Sequence, residues 1–499
     1  MFKKLAASCI AAILVMSLTP ISASAAKVGA SCSKLGQVQT SGSKKLICIK
    51  KGSKKVWGEV KTAAYKPKGW NLSHCDTDPG LKGFANDFQV FMRSQSRCVG
   101  PMVVPDSKMP AVKPVSVIDS ATSLSNVELC KARHTSNPRA WKGFPSPGME
   151  QDFMLNRHPS PNTVMQVIPI FSSDAPKTNK TPDQDYKFYF DFVKKYYAQI
   201  NDGPGKLDLR IPDQYIEFKQ KIEPYAVHHG NDGPVNQKFF QDVIDTVDSK
   251  FDFSTINYVL VVVPGGTPSG IISQQGVGRV LTNEGPIYNI STAQPATVTA
   301  ANNTTDISLA SPSMWIHEFY HPGINLGDNY GAKSSSYDAN RGMGDWGLMS
   351  QNNGDLLAWQ KWFLGFLQDS QVRCVTGGNA ATQHWLAPSS IKTSLSKMVV
   401  IPLSQSKVIV VESIRAVGLS YKYSKVRTGA LVYTVDASDT SHNFGYLVMY
   451  PDNRRPSIGS LKMEDASLKL GESLTIEGLK ITNVEWGDFG DVIRVEPAK

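Results

Sequence analysis

The residues best suited to chemistry lie in one stretch, Ser311 to Asp328, which reads SPSMWIHEFYHPGINLGD. His317 and His321 are four positions apart, so on a helix both imidazoles leave the same face and can reach a single ion. Glu318 follows the first of them directly. A hydrolytic Zn2+ site takes three protein ligands and keeps a fourth position open, where a bound water has its pKa lowered toward about 7. Glu318 then suits the role of general base, taking the proton of the attacking water and returning it to the leaving amine of a peptide. As a ligand it would close the site. With nine His and 43 acidic residues in 499, His-acid-x-x-His is expected by chance roughly 0.01 times. The alternative is a pair of surface histidines on an ordinary helix.

Neighbouring residues must start and stop that helix. Ser311 can cap it, with Pro312 at the first helical position, where the missing N–H is harmless. Pro322 ends it soon after His321, and Gly323 and Gly327 permit sharp turns. The chain can therefore swing back with a third ligand. Asp328 is the nearest carboxylate, with Asp338 and Asn325 as the other candidates. Further on, Arg341 to Gln351 reads RGMGDWGLMSQ, and AWQKWFLGFL predicts an amphipathic helix. Asp338, Asn340 and Asp345 suit the oxygen-rich shell of a structural Ca2+, a solvated turn being the alternative. His228 and His229 precede Gly230 and read as loop residues that could touch substrate.

The elements around this stretch predict an α+β fold. Val164 to Phe171 and Tyr258 to Val263 read as strands, the second short, continuous and β-branched, as in a strand buried on both faces. Asp185 to Ile200 and Phe239 to Phe251 carry apolar residues at helical spacing, and the stripe Tyr186, Phe190, Val193, Tyr197 reads as core. After Cys374 short alternating strands take over (Met398 to Ile401, Val408 to Glu412, Ala430 to Val435, Val492 to Val495), predicting a β-sandwich-like domain.

Lys3 and Lys4, the apolar run Leu5 to Leu18 and the small residues Ala23 to Ala25 read as an export signal, 1–26. No other segment has the roughly twenty apolar residues that span a bilayer. The expected place is outside the cell, secreted or wall-associated. The net charge of +10 is not spread evenly, because residues 1–68 hold thirteen Lys, no Arg, no Asp and only Glu59, a net +12 that leaves −2 for the rest. This excludes a nucleic-acid-binding reading for the bulk of the chain. The basic patch, including Lys44, Lys45, Lys50, Lys51, Lys54 and Lys55, would attract an anionic cell-wall polymer or serve simply as a solvated face. Six cysteines follow the signal, an even count that suits disulfides. Cys32 and Cys48 are expected to pair locally, while Cys75, Cys98, Cys130 and Cys374 allow three pairings. Cys75 beside His74 also raises an inhibitory thiolate as a less favoured alternative. The expected organisation is a Lys-rich Cys hairpin module at 27–60, a linker or pro-segment at 61–140, the metallopeptidase domain at 141–373 and the β-rich domain at 374–499.

Taken in order, GFP at Gly143 to Pro145, VIPIF at Val167 to Phe171, KFDFS at Lys250 to Ser254, YVLVVVPGG, HEFYH, Asp328, DWGLMS and AWQKWFLGFL resemble the immune inhibitor A type of secreted bacterial metallopeptidases, peptidase family M-six. The likeness covers about 140–370, and residues 27–60 resemble short Cys-containing modules of secreted actinobacterial proteins. The resemblance implies a zincin-like domain, zinc held by His317, His321 and an aspartate, Glu318 as the acid/base, and hydrolysis of peptide bonds outside the cell. The family's aspartate would lie one residue closer to the second His than Asp328 does. Met349, close behind Gly347, could form the Met-containing turn that metzincin peptidases share, ordinary packing of a buried Met being the alternative. The resulting reading is a zinc-dependent endopeptidase acting on protein or peptide. Its rival is an inactive scaffold kept as a surface-binding protein, which would have no use for Glu318.

Overall fold

The computed structural model describes residues 27–33, 38–41, 44–51, 53–59, 108–133, 161–228, 233–268, 270–277, 279–293, 316–317, 319–320, 326–333, 336–344, 346–351, 355–376, 380–420, 423, 425–439, 445–454 and 463–498. The chain divides into two compact units, Met1–Ala64 and Tyr65–Lys499. In the first, β1 (Val38–Ser41), β2 (Lys44–Lys51) and β3 (Lys54–Glu59) form an antiparallel sheet. Leu46, Cys48 and Trp57 are buried beside the Cys32–Cys48 disulfide. The register sets Lys50 opposite Lys55 and Lys51 opposite Lys54, which gathers positive charge at one end of the hairpin.

The second unit opens with an arm, 108–133, stitched to the later strands. Cys130 is bonded to Cys374, Ser125 N–H donates to Cys374 O, and the backbone N–H groups of Val115 and Ser116 both donate to the Glu485 carboxylate. Cys75 and Cys98 lie outside the described residues, as do the export-signal residues.

A mixed sheet follows, in the order β5-β4-β7-β11-β8, built from β4 (Thr163–Phe171), β5 (Leu207–Arg210), β7 (Tyr258–Val262), β8 (Gln275–Val277) and β11 (Ile290–Thr292). β6 (Ile216–Glu217) also pairs with β4, and β9 (Val280–Thr282) with β10 (Gly285–Ile287) makes a separate hairpin. All pairs in the main sheet are parallel except the edge strand β8. Both faces are buried, as parallel pairing demands. Met165, Val167, Tyr258, Leu260 and Val262 turn to one core, while Ile168, Ile170, Val259, Val261 and Val263 turn to the other. This period of two along β4 and β7 sorts the layers. Helix α1 (Pro182–Ile200) covers the first face with Tyr186, Phe190, Val193 and Tyr197, its start fixed by a Thr181–Gln184 capping box. Helix α2 (Pro234–Val247) covers the second with Phe239, Phe240, Val243 and Ile244. It begins before the predicted Phe239 because Pro234, following Gly233, supplies a ready first turn.

Beyond the site segment come the hairpin β12 (Tyr330–Lys333) and β13 (Ser336–Gly342), then the short helices α3 (Leu348–Gln351) and α4 (Ala358–Phe363). Helix α4 is shorter than predicted, ending where Gly365 adopts φ +79°. It is also buried on every side, Gln360 and Lys361 included, and so is not an amphipathic surface helix. Two sheets close the chain. One runs β14 (Val372–Cys374), β16 (Met398–Pro402), β17 (Lys407–Ile414), β18 (Gly429–Asp436), β19 (Tyr446–Val448), and the other runs β15 (Thr382–Leu386), β22 (Gly490–Pro497), β21 (Leu479–Gly487), β20 (Ser473–Ile476). Val399, Ile401, Ile409 and Val411 of the first pack against Leu386, Ile481, Ile493 and Val495 of the second, forming a face-to-face core. The result is a mixed α+β architecture with several sheets.

Candidate metal centre

Ile316, His317, Phe319 and Tyr320 are helical and buried on the same side of the mixed sheet as α1. Phe319 anchors this turn, with its ring edge-on to Tyr258 of β7 at 4.6 Å and against Tyr197 of α1 at 5.9 Å. Leu326 N–H then donates to Tyr320 O at 3.1 Å, so the chain folds back upon the end of the helical turn. That return brings Asp328 beside His317.

His317 Nε2 lies 3.2 Å from Asp328 Oδ1, and its Nδ1 lies 2.9 Å from the carbonyl oxygen of Leu348. With Nδ1–H donating to that carbonyl, Nε2 keeps a lone pair directed toward the carboxylate side. Two arrangements satisfy such a ring. One is an imidazolium donating from both nitrogens, for which an N–H to carboxylate contact is usually about 2.7–2.9 Å. The other is a cation that Nε2 and the carboxylate would hold together. The 3.2 Å separation places Nε2 and the carboxylate within reach of one another in either arrangement. A nitrogen and a hard oxygen donor are also the set that zinc accepts, and an Nδ1–H to backbone carbonyl bond is the usual outer support of a metal-binding imidazole.

That supporting carbonyl belongs to a tightly specified turn. Gly347 has φ +86°, a backbone conformation that calls for glycine, and a Cβ there would lie 3.2 Å from the Leu357 side chain. Asn329 N–H donates to Met349 O and Met343 N–H donates to Asn329 O, which locks the residue after Asp328 onto the same turn. Met349 is fully buried. Gly347 N–H donates to the Tyr423 hydroxyl at 2.9 Å, the Trp346 indole N–H to Met463 O at 2.8 Å, and Leu348 N–H to Asp355 O at 2.9 Å. Asp355 is in turn ion-paired with Lys361 at 2.6 Å, both being buried. Burial pushes the Asp355 carboxyl above its ordinary value, against the pull of the Lys361 ammonium, and pushes the Tyr423 hydroxyl up to about 12.

Glu318, His321 and Asn325 lie outside the described residues, as do His229 and Asp345. Among the described residues no cluster of three His, Cys, Asp or Glu forms, so the structure brings together His317 and Asp328 of the expected set. Asp338 stands on β13 opposite Gly331, and His228 follows the bridge from Val227 to Ile272. Nothing in the spacing of residue types pointed to Leu348, Tyr423 or the Asp355–Lys361 pair. Only the proximity of Gly347 to Met349 marked the turn.

No protein-family model matches the chain, and no curated protein matches it. Among solved structures it is similar to the crystal structure of catalytic inactive OgpA from Akkermansia muciniphila in complex with an O-glycopeptide (glycodrosocin) substrate. The likeness has 14% identity and a TM-score of 0.24, and covers 58% of this chain and 86% of that chain. At that level it carries no weight for fold or activity.

Proposed function

We propose that the chain is a secreted zinc-dependent endopeptidase. The observation that carries this reading is the His317 imidazole, fixed at Nδ1 by Leu348 O and set at Nε2 3.2 Å from the Asp328 carboxylate. With His321, four positions further along the sequence, these residues would hold the ion. Zinc, when bound, supplies Lewis acidity that makes water a competent nucleophile near neutral pH. The protein's own part is to fix its ligands and to provide Glu318 next to His317, where it takes a proton from the attacking water and delivers it to the departing amine. Asp328, as a ligand, would add negative charge to the site without competing for that proton, because its carboxylate would be committed to the cation. The Cys32–Cys48 and Cys130–Cys374 disulfides support an oxidising, extracellular setting. No described helix is long and apolar enough to cross a membrane.

The test is casein hydrolysis by the purified protein, with and without a chelator, beside Glu318→Gln. The parent should be active and chelator-sensitive, and the variant should lose turnover by about 100-fold or more, the scale of general base catalysis, while keeping its zinc. Proteolysis unchanged in the variant would reject the role of Glu318. A parent that binds zinc but cleaves nothing would favour the surface-binding rival.

A further inference from the structure

We infer that Tyr423 is a positioning residue for the metal site, acting from the C-terminal half of the chain through the turn that carries Leu348. This rests on the reading of His317 as a zinc ligand. The Tyr423 hydroxyl accepts the N–H of Gly347, one residue before the carbonyl that holds His317 Nδ1. The tyrosine is itself clamped, with the Arg427 guanidinium 4.7 Å from its ring centre and 5.4 Å from that of Trp346, and the two rings meet edge-on. Trp346 adds its own bond to Met463 O, also from the C-terminal half. On the other side, Leu348 N–H is bound by Asp355 O, whose side chain is tied through Lys361 to Ser389 O at 2.6 Å.

Residues 346, 347 and 348 are therefore fixed in turn, two of them directly by groups that follow Cys374 and the third through a buried ion pair ending at Ser389. Gly347 needs this support because its backbone lies in the left-handed region, where a glycine is otherwise free to relax. If the turn relaxes, the Leu348 carbonyl moves and the imidazole plane rotates with it, which misdirects Nε2. Outer-shell partners of a metal-binding His change affinity about 10- to 100-fold. Tyr423 stands one bond further out, so a smaller effect is expected.

The experiment compares Tyr423→Phe with a control, Tyr215→Phe, in the full chain. Tyr215 is likewise buried and donates to the Asp185 carboxylate at 2.7 Å, but it has no part in the turn. Zinc affinity is read by competition with a chromophoric chelator, and thermal melting is read in parallel. Tyr423→Phe should weaken zinc binding about fivefold, below the range of direct outer-shell partners. Tyr215→Phe should lower melting by a similar amount and leave zinc affinity at the parental level. Parental affinity in a folded Tyr423→Phe overturns the inference, and so does equal weakening in both variants. Should Tyr423→Phe not fold, Trp346→Phe, which loses the bond to Met463 O and part of the ring area facing Tyr423 and Arg427, is read in the same way. A parent that binds no zinc would defeat the proposed function itself and this inference with it.

Discussion

His317 and His384 are both buried, yet the fold asks different things of them. His384 sits on β15 with no solvent exposure, its Nε2 2.9 Å from the Thr382 hydroxyl and the Arg373 guanidinium beside Nδ1. Burial first, and the Arg373 charge second, lower its pKa from 6.5 to about 4. Between those two values the unfolded chain binds more protons than the fold, so stability is complete above pH 6.5 and is lost as the pH falls toward 4. The full effect is on the order of 3 kcal/mol. The urea midpoint of the parent should therefore fall more between pH 7 and pH 4.5 than that of His384→Gln, and equal falls would contradict this account. His317 has two acceptor groups around its ring, the Leu348 carbonyl and the Asp328 carboxylate. The spacing of residue types pointed to His317, and the turn residues Pro322, Gly323 and Gly327 pointed to a returning Asp328. Leu348 left no trace because a backbone carbonyl has no residue type. Asp355 and Lys361 escaped notice because their six-residue separation is not a helical neighbour spacing, and they meet only because α4 folds onto its own preceding loop.

Among the elements, β4, β7, α1 and α2 were readable because each repeats its own period long enough to be told from the other. Tyr258 to Val263 was the plainest, since a continuous β-branched run of that length admits little else. Helix α4 misled because Trp, Lys and Gln at its positions imitate an amphipathic pattern, whereas the helix is enclosed by two layers. There Glu412 accepts Ala358 N–H and the Tyr433 hydroxyl, and Lys361 is neutralised by Asp355. The arm at 108–133 carried too little periodicity to be placed, and its attachment depends on partners nearly 250 or more residues away. The Cys130–Cys374 bond closes a separation of 244 residues. Long closed loops restrict the unfolded chain most, so replacing both cysteines by alanine should cost about 2–5 kcal/mol. Equilibrium urea unfolding measures this, and an unchanged midpoint would show that the arm is held without its disulfide.

In the whole molecule, the region expected to be a separate β-rich domain shares its core with the region expected to be the peptidase. Tyr197, Phe319, Trp359, Val408, Tyr433 and Met463 all belong to one buried cluster. Residues 65–499 form one compact unit, and the proposed metal site lies where the helical turn at His317, the returning segment at Asp328 and the turn at Leu348 meet. The Lys-rich hairpin falls within the compact unit Met1–Ala64. The most direct test of the proposed centre is the metal content of the purified full chain, determined by mass spectrometry for the parent and for Asp328→Ala after both are shown to be folded. One zinc per parent chain, and a clear loss in the variant, is the predicted result; a metal-free parent, or a variant that holds zinc as firmly as the parent, would contradict it.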